Sequence, residues 1–212
     1  MKPYYQDDWV QVYNGDSQDV LRSMSPDSYD LLMTDPPYGI GENAFRVANS
    51  GKLAKTTDYG DFDWDKKPVD QALIDLCISK AKYSCIWGGN YYAVKPSKAW
   101  LVWDKENGGN DFADCELAWT NYGKAVRIKR HTWNGMIRKG HEARFHPTQK
   151  PLDVITWAIM LSPEYETILD PFMGSGTTLR AAKNLQKKAI GIEKEERYCE
   201  IAARRMSQEV LI

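Results

Sequence analysis

The stretch from Thr167 to Glu193 constrains this chain more than any other. Thr167-Ile168-Leu169 reads as a strand, Asp170-Pro171-Phe172-Met173-Gly174-Ser175-Gly176-Thr177-Thr178 as a glycine-rich turn, and Leu179, Ala182 and Leu185 as the inner face of a helix. Ala189 to Ile192 is a returning strand that ends in Glu193. Strand, helix and second strand in this order make a βαβ unit, whose two strands pair in parallel. Parallel sheets are covered on both faces and bind ligands beyond the carboxyl ends of their strands. The fold class is therefore α/β, and the strand ends at Asp170 and Glu193 mark one wall of a site.

That turn has part of a nucleotide-binding fingerprint. Glu193 stands nineteen positions after Gly174, a spacing that suits a carboxylate on ribose hydroxyls, but Leu occupies position 179 where a pyrophosphate cradle asks for a third glycine. A cofactor with an adenosine and no phosphates, such as S-adenosylmethionine, needs the tight turn without the cradle. A second strand end carries different chemistry: the apolar run Leu31-Leu32-Met33 leads into Asp35-Pro36-Pro37-Tyr38. The exocyclic amino group of a base is a poor nucleophile while its lone pair is delocalised into the ring, and acceptors that hold its two hydrogens out of plane free it. Asp35 offers a carboxylate, Pro36 a carbonyl on backbone stiffened by two prolines, and Tyr38 an aromatic face. A proline turn with Asp35 as a solvated cap is the blander account of the same residues.

The rest of the chain keeps the α/β rhythm. Trp9 to Tyr13 predicts a strand, Gly15-Asp16-Ser17 a turn, and Val20, Leu21 and Met24 a helix. Asp16 suits either a helix cap or contact with a cofactor's adenine amino group. Pro68 is expected to open a helix through Val69, Leu73, Leu76 and Cys77, followed by strands at Tyr83 to Trp87, Trp100 to Trp103, Cys115 to Asn121 and Ala125 to Lys129. Pro151 opens a helix with Leu152, Ile155, Ala158, Ile159 and Leu161 mostly inward, and Tyr198 to Met206 forms the last one. Gly39 to Lys67 shows no apolar periodicity. A loop of that length is either a lid over an everted base, with Phe45, Tyr59, Phe62 and Trp64 as contacts, or a surface excursion.

With 212 residues the chain can bury one sizeable core and not two, so a single domain over 1–212 is expected. Charged residues are 27%, no apolar run approaches the length of a bilayer span, and no basic-then-apolar leader is present, which predicts a soluble cytoplasmic protein with no membrane partner. Cys77, Cys85, Cys115 and Cys199 lie far apart, and His131, His141 and His146 show no zinc spacing with them. Buried free thiols and no metal are expected. The net charge of −1 hides an asymmetry: Lys124 to Lys150 holds eight basic residues and one acid, Glu142, and this +7 stripe leaves −8 on the remainder. Such a stripe orients a polyanion toward one face. The candidate nucleic-acid contacts are Lys124, Arg127, Lys129, Arg130, His131, Trp133, Arg138 and Lys139, with an ordinary solvated face as the alternative.

Asp35 to Tyr38, followed far downstream by Phe172 to Gly176, resembles the β-class DNA amino-methyltransferases, in which D/N/S-P-P-Y precedes F-x-G-x-G. Glu193 matches that family's ribose-binding acid, Asp16 the acid after the strand preceding the catalytic one, and His146 to Pro151 the segment leading into the cofactor helix. The similarity runs from about Tyr13 to Glu193. It implies an S-adenosylmethionine-dependent methyltransferase fold: a mostly parallel seven-stranded sheet with one reversed strand, helices on both faces, a circularly permuted motif order, and the two motifs on adjacent strands. It further implies catalysis by Asp35, Pro36, Pro37 and Tyr38, and S-adenosylmethionine held by Asp16, Asp35, Lys150, Asp170, Phe172, Gly174, Ser175, Gly176, Thr177, Thr178 and Glu193. Double-stranded DNA is the implied partner, with a short target-recognition region at about 106–145, eversion of the target base and a role in restriction–modification. Aspartate at position 35, where members acting on cytosine N4 more often have serine, points to N6 of adenine. Cytosine N4, an RNA or protein amide as substrate, and an inactive DNA-binding module are the alternatives; a homodimer is left open.

Overall fold

Alternation along one strand sets the architecture. In the computed structural model, which describes residues 2–39, 67–108, 113–134, 137–138 and 148–208, strand β3 (Tyr29–Thr34) sends Leu31 and Met33 into one apolar cluster and Leu32 into another. A strand's side chains point to opposite faces in turn, so the consecutive apolar residues Leu31, Leu32 and Met33 must be covered on both. Each fully buried leucine contributes about 1.5–3 kcal/mol of transfer free energy. One face is covered by α3 (Leu152–Met160), α4 (Thr177–Asn184) and α5 (Glu196–Met206), through Ile155, Ile159, Leu179, Ala182 and Cys199. The other is covered by α1 (Ser17–Arg22) and α2 (Gln71–Ile78), through Val20, Leu21, Ile74 and Cys77.

The remaining strands are β1 (Tyr5–Gln6), β2 (Val10–Asn14), β4 (Ala81–Trp87), β5 (Trp100–Asp104), β6 (Cys115–Thr120), β7 (Arg127–Arg130), β10 (Thr167–Asp170) and β11 (Lys188–Glu193), with a separate hairpin of β8 (Trp133–Asn134) and β9 (Ile137–Arg138). The sheet order is β1-β2-β11-β10-β3-β4-β6-β5-β7. Seven central strands, β2 to β5 in that order, carry the expected arrangement: β2, β11, β10, β3 and β4 pair in parallel, and β6 runs against both β4 and β5. The expected count of seven is corrected to nine among the described residues. β1 adds an antiparallel edge on β2, and β7 a parallel edge on β5.

The chain leaves β10 by α4 toward β11, and leaves β3 by α2 toward β4, on opposite faces of the sheet. β10 and β3 are neighbours, with Ile168 opposite Leu31 and Leu169 opposite Leu32. The crevice beyond them is therefore a topological switch point, the place where an open α/β sheet binds its ligand.

Helix starts differ from expectation where a cap competes with a proline. α2 begins after Asp70, whose carboxylate accepts the Ala72 N–H at 3.1 Å, while Pro68 forms an isolated antiparallel bridge with Tyr38 and ties the helix approach to the turn after β3. Pro151 is the cap of α3 rather than its first residue. Among the described residues no helix is long and apolar enough to cross a membrane. Phe45, Tyr59, Phe62, Trp64, Lys139, His141, Glu142, Arg144 and His146 lie outside the described residues.

Candidate active site

Asp170 ends β10 and is buried. Its Oδ1 accepts the Thr34 hydroxyl at 2.8 Å and the Phe172 N–H at 3.1 Å, and burial pushes its carboxyl up to about 6 against these hydrogen bonds. The backbone then turns through Gly174 (φ +50°) and Gly176 (φ +80°), left-handed conformations that side-chain-bearing residues adopt only at a cost. Gly176 caps α4 and backs onto Ala202, where an added Cβ would sit 3.0 Å from the alanine Cβ. Glu193 ends the neighbouring β11 and braces the same turn: Oε2 accepts the Gly174 N–H at 3.0 Å, and Oε1 accepts the Glu195 N–H at 2.8 Å. Burial lifts the Glu193 carboxyl to about 7 in spite of both bonds. From the far side Ser17 donates to the Pro171 carbonyl at 2.5 Å, and Asp16 caps α1 by accepting the Gln18 N–H at 2.8 Å.

A cavity of about 430 Å³ opens between these elements. Asp16, Asp35, Pro37, Lys150, Asp170, Phe172, Gly174, Ser175, Thr177, Thr178 and Glu193 line it, so the structure brings both sequence motifs to one wall. Gly176, Pro36 and Tyr38 are not on the lining; Gly176 shapes the turn from behind. Thr34, Gln149, Ile155, Glu195 and Tyr198 also face the cavity and were not expected there. Its wall carries five carboxylates, those of Asp16, Asp35, Asp170, Glu193 and Glu195, against Lys150 and Lys194. That donor set suits a ligand with cationic centres, hydroxyls and an amino group, as S-adenosylmethionine has, and opposes a pyrophosphate.

The Asp35 turn forms the cavity's outer end. The Asp35 side chain is 24% exposed; its Oδ2 lies 2.5 Å from Lys150 Nζ, and its Oδ1 accepts the Tyr38 hydroxyl. The Lys150 side chain is only 6% exposed and also meets Glu116 Oε2 at 3.1 Å. Burial, with Glu116, holds the Asp35 carboxyl above its usual range although Lys150 pulls the other way. The Tyr38 ring stacks on Tyr91 with centroids 4.8 Å apart and planes 17° from parallel. It fills the space that Gly88 (φ +65°) leaves empty, since a Cβ there would lie 2.0 Å from the ring. The Pro37 carbonyl accepts from the Tyr92 hydroxyl at 2.6 Å and the Val69 N–H at 3.2 Å, which leaves the Pro36 carbonyl without a partner among the described residues.

The expected DNA contacts divide. Lys124 and Arg127 are exposed, and Lys124 also donates to the Leu161 carbonyl at 2.9 Å. Arg130 is exposed beside Asp104 at 3.4 Å, and Lys129 pairs with Asp153 at 2.9 Å. His131 and Trp133 are corrected: each is 7% exposed and belongs to the interior. His131 bridges elements, with Nδ1 3.2 Å from Asp153 Oδ2 on α3 and its carbonyl accepting from Trp103 Nε1 at 2.8 Å. Arg138 lies in β9 with its side chain outside the described residues, as is Lys139 altogether. Lys150 leaves the stripe too, because it is buried at Asp35. Cys77, Cys85 and Cys199 are buried free thiols, but Cys115 is exposed. Among the described residues no three His, Cys, Asp or Glu side chains gather as a metal site.

A switch-point cavity between a glycine-rich turn and an Asp-Pro-Pro-Tyr turn, with the latter earlier in the chain, defines the class: a methyltransferase fold with permuted motif order. The chain belongs to the DNA methylase family of N6/N4 amino-methyltransferases, whose profile matches residues 64–204, and so to the S-adenosylmethionine-dependent β class. It is 29% identical to the type II methyltransferase M2.LlaDCHI of Lactococcus lactis subsp. cremoris and 28% identical to M2.DpnII of Streptococcus pneumoniae, in each case over 98% of this chain and 93% of the relative. Among solved structures the fold is similar to the cytosine-N4-specific PvuII DNA methyltransferase (TM-score 0.61, 19% identity, 100% of this chain and 91% of that one). It is also similar to the M1.HpyAVI–SAM complex (TM-score 0.55, 23% identity, 93% of this chain and 100% of that one).

Proposed function

We propose that this chain methylates N6 of adenine in double-stranded DNA after the base has left the stack. The observation that carries the reading is the Asp35 carboxylate, partly open at the end of β3, in the same cavity as the turn after β10. Bound S-adenosylmethionine supplies a methyl group already activated by its sulfonium. The chain's own residues then do the alignment. Glu193 accepts from ribose hydroxyls while keeping the Gly174 turn braced, and Asp16 accepts from the adenine amino group. Lys150, Ser175, Thr177 and Thr178 complete the wall, and Phe172 packs on the adenosine.

Asp35 takes one hydrogen of the target amino group and the Pro36 carbonyl the other. The Tyr38 hydroxyl occupies Asp35 Oδ1 in this structure, so entry of the base exchanges a tyrosine O–H for a base N–H on that oxygen. The Tyr38 ring gives the base a stacking surface, which offsets part of the few kcal/mol that unpairing takes, about 1–3 kcal/mol per stacked base. The amino proton leaves to Asp35 or to solvent. Exposed Lys124, Arg127 and Arg130 contact phosphates, and the region at about 106–145 reads the target. The type II designation of both relatives supports a place in restriction–modification.

The test is direct. The protein is incubated with mixed-sequence duplex DNA, RNA and methyl-labelled S-adenosylmethionine, and the nucleosides are identified by mass spectrometry. N6-methyladenine in DNA is expected. N4-methylcytosine alone would overturn the choice of base, and label confined to RNA or protein would overturn the DNA reading.

A further inference from the structure

Lys150 is one cation held between two carboxylates. Its Nζ lies 2.5 Å from Asp35 Oδ2 and 3.1 Å from Glu116 Oε2, and the other Glu116 oxygen is 2.6 Å from Lys105 Nζ. Four elements supply this row: the turn after β3, the approach to α3, β6, and the end of β5. Nothing in the proposed chemistry uses Glu116 or Lys105, yet both are drawn inward, with side chains 27% and 18% exposed. Glu116 Oε2 is fully enclosed, and Lys150 is the cation that meets it there. At such separations, with little water between the groups, charge decides which carboxylate holds the lysine.

We propose that Glu116, backed by Lys105, is a positioning pair that sets how tightly Lys150 holds Asp35, and thereby how good an acceptor Asp35 is for the amino group of the base. The inference rests on the base-methylation reading of the site. Glu116 draws on Lys150 and repels Asp35, so it keeps the Asp35 lone pairs available. Lys105 satisfies Glu116 from the far side and limits that draw. The charge states agree: burial opposes ionisation of Glu116, but Lys150 and Lys105 bring its carboxyl down to about 2, while Asp35 stays above its usual range. The other groups facing Asp35 and Lys150 are the Tyr38 hydroxyl, the Asp170 carboxylate across the cavity, the Cys85 thiol on β4 and the Trp87 ring, 5.4 Å from Lys150 Nζ. None of them joins Lys105 to the row.

Removing one charge at a time gives opposite displacements, which a structural role would not. In Glu116→Gln, Lys150 turns wholly to Asp35, and the acidic limb of the single-turnover methyl-transfer profile moves down by about one pH unit while the plateau rate falls roughly tenfold. In Lys105→Met, Glu116 leans on Lys150 alone, and the limb moves up by about one unit, with Lys105→Arg restoring it. S-adenosylmethionine affinity stays within about twofold of wild type in all three, because neither Glu116 nor Lys105 lines the cavity. The carboxyl ¹³C shift of Asp35, titrated in the cofactor-free protein, should show the same two displacements. Limbs that coincide with wild type, or move in one direction, overturn the proposal while the wild type remains active. If Glu116→Gln does not fold, Lys105→Met and Lys105→Arg decide it on the same criterion. A wild type that transfers no methyl group to DNA overturns the base-methylation reading, and this role for the pair with it.

Discussion

Glu193→Gln tests the turn and the cofactor reading together. In the folded chain burial raises the Glu193 carboxyl from 4.5 to about 7, so the folded state holds the proton over a range in which the unfolded chain has released it. The sign follows: stability falls as pH rises from about 4.5 to about 7, and the loss is complete above that. The full displacement corresponds to about 3 kcal/mol, and because the carboxylate is open to the cavity on one side, about half of that is the expected effect. Glutamine removes this slope but leaves one of the two backbone N–H groups, of Gly174 or Glu195, facing an amide NH₂, a defect of about 1–3 kcal/mol at every pH. Urea unfolding at pH 5 and pH 8 should therefore show wild type losing about 1.5 kcal/mol more than the variant between the two. Calorimetric titration should show S-adenosylmethionine bound about tenfold to a hundredfold more weakly by the variant, the worth of a hydrogen bond to a charged acceptor. Wild-type affinity should also fall as pH drops below about 7, where the carboxylate takes up its proton. Equal slopes would refute the buried-acid argument, and equal affinities in a folded variant would remove Glu193 from the cofactor.

Asp35→Ala should lose methyl transfer by at least about a hundredfold and change S-adenosylmethionine affinity far less, since its main partner in the reaction is the amino group of the base; single-turnover rates and calorimetry separate the two. Gly88→Ala places a methyl group where the Tyr38 ring lies and forces a left-handed alanine; about 1–2 kcal/mol of stability and most of the transfer rate should go, with cofactor binding intact. Reversing charge at Arg127 and Arg130 should weaken duplex binding and lower the slope of log affinity against log salt by about one for each phosphate no longer neutralised. An unchanged slope would leave the two arginines as an ordinary solvated face.

What can be read without coordinates is local. An apolar run followed by a rigid or glycine-rich turn is a strand end whatever surrounds it, which is why Asp35, Asp170 and Glu193 fall at the carboxyl edge of a parallel sheet on sequence alone. What cannot be read depends on register between distant segments. Glu116 reaches Lys150 because β6 runs antiparallel to β4, and Lys105 reaches Glu116 because the β5–β6 ladder sets Asp104 opposite Cys115. No spacing rule gives either. Composition misleads at His131 and Trp133 because a cation-rich segment looks like surface, whereas β7 is an edge strand and the chain after it folds inward against α3. Lys150 reads as part of the stripe for the same reason. Thr148 and Gln149 just before it are polar, and the carboxylates that enclose it lie 34 or more positions away.

The permuted motif order follows from the same distinction. Sequence order fixes which loops are long, but the site needs only that the ends of β3 and β10 lie side by side. That condition is met by parallel pairing of Leu31 and Leu32 with Ile168 and Leu169, and is locked one residue further on, where the Thr34 hydroxyl donates to Asp170 across 136 positions of chain. Asp170 is thus the residue through which the two turns hold each other in register. Its carboxyl is raised to about 6, against an ordinary value of 3.8, so the folded chain also keeps this proton longer than the unfolded one and is destabilised as pH rises between the two. Asp170→Asn with its amide oxygen at the Oδ1 position keeps an acceptor for both Thr34 and Phe172, but a neutral and weaker one, and it turns an NH₂ group toward Thr178. It should flatten the stability profile between about pH 4 and 6 while loosening the spacing of the two turns, so the methyl-transfer rate should fall further than cofactor affinity does. If affinity and rate fell equally, Asp170 would be serving the cofactor alone, and the coupling of the two motifs would have to be sought elsewhere in the β3–β10 ladder.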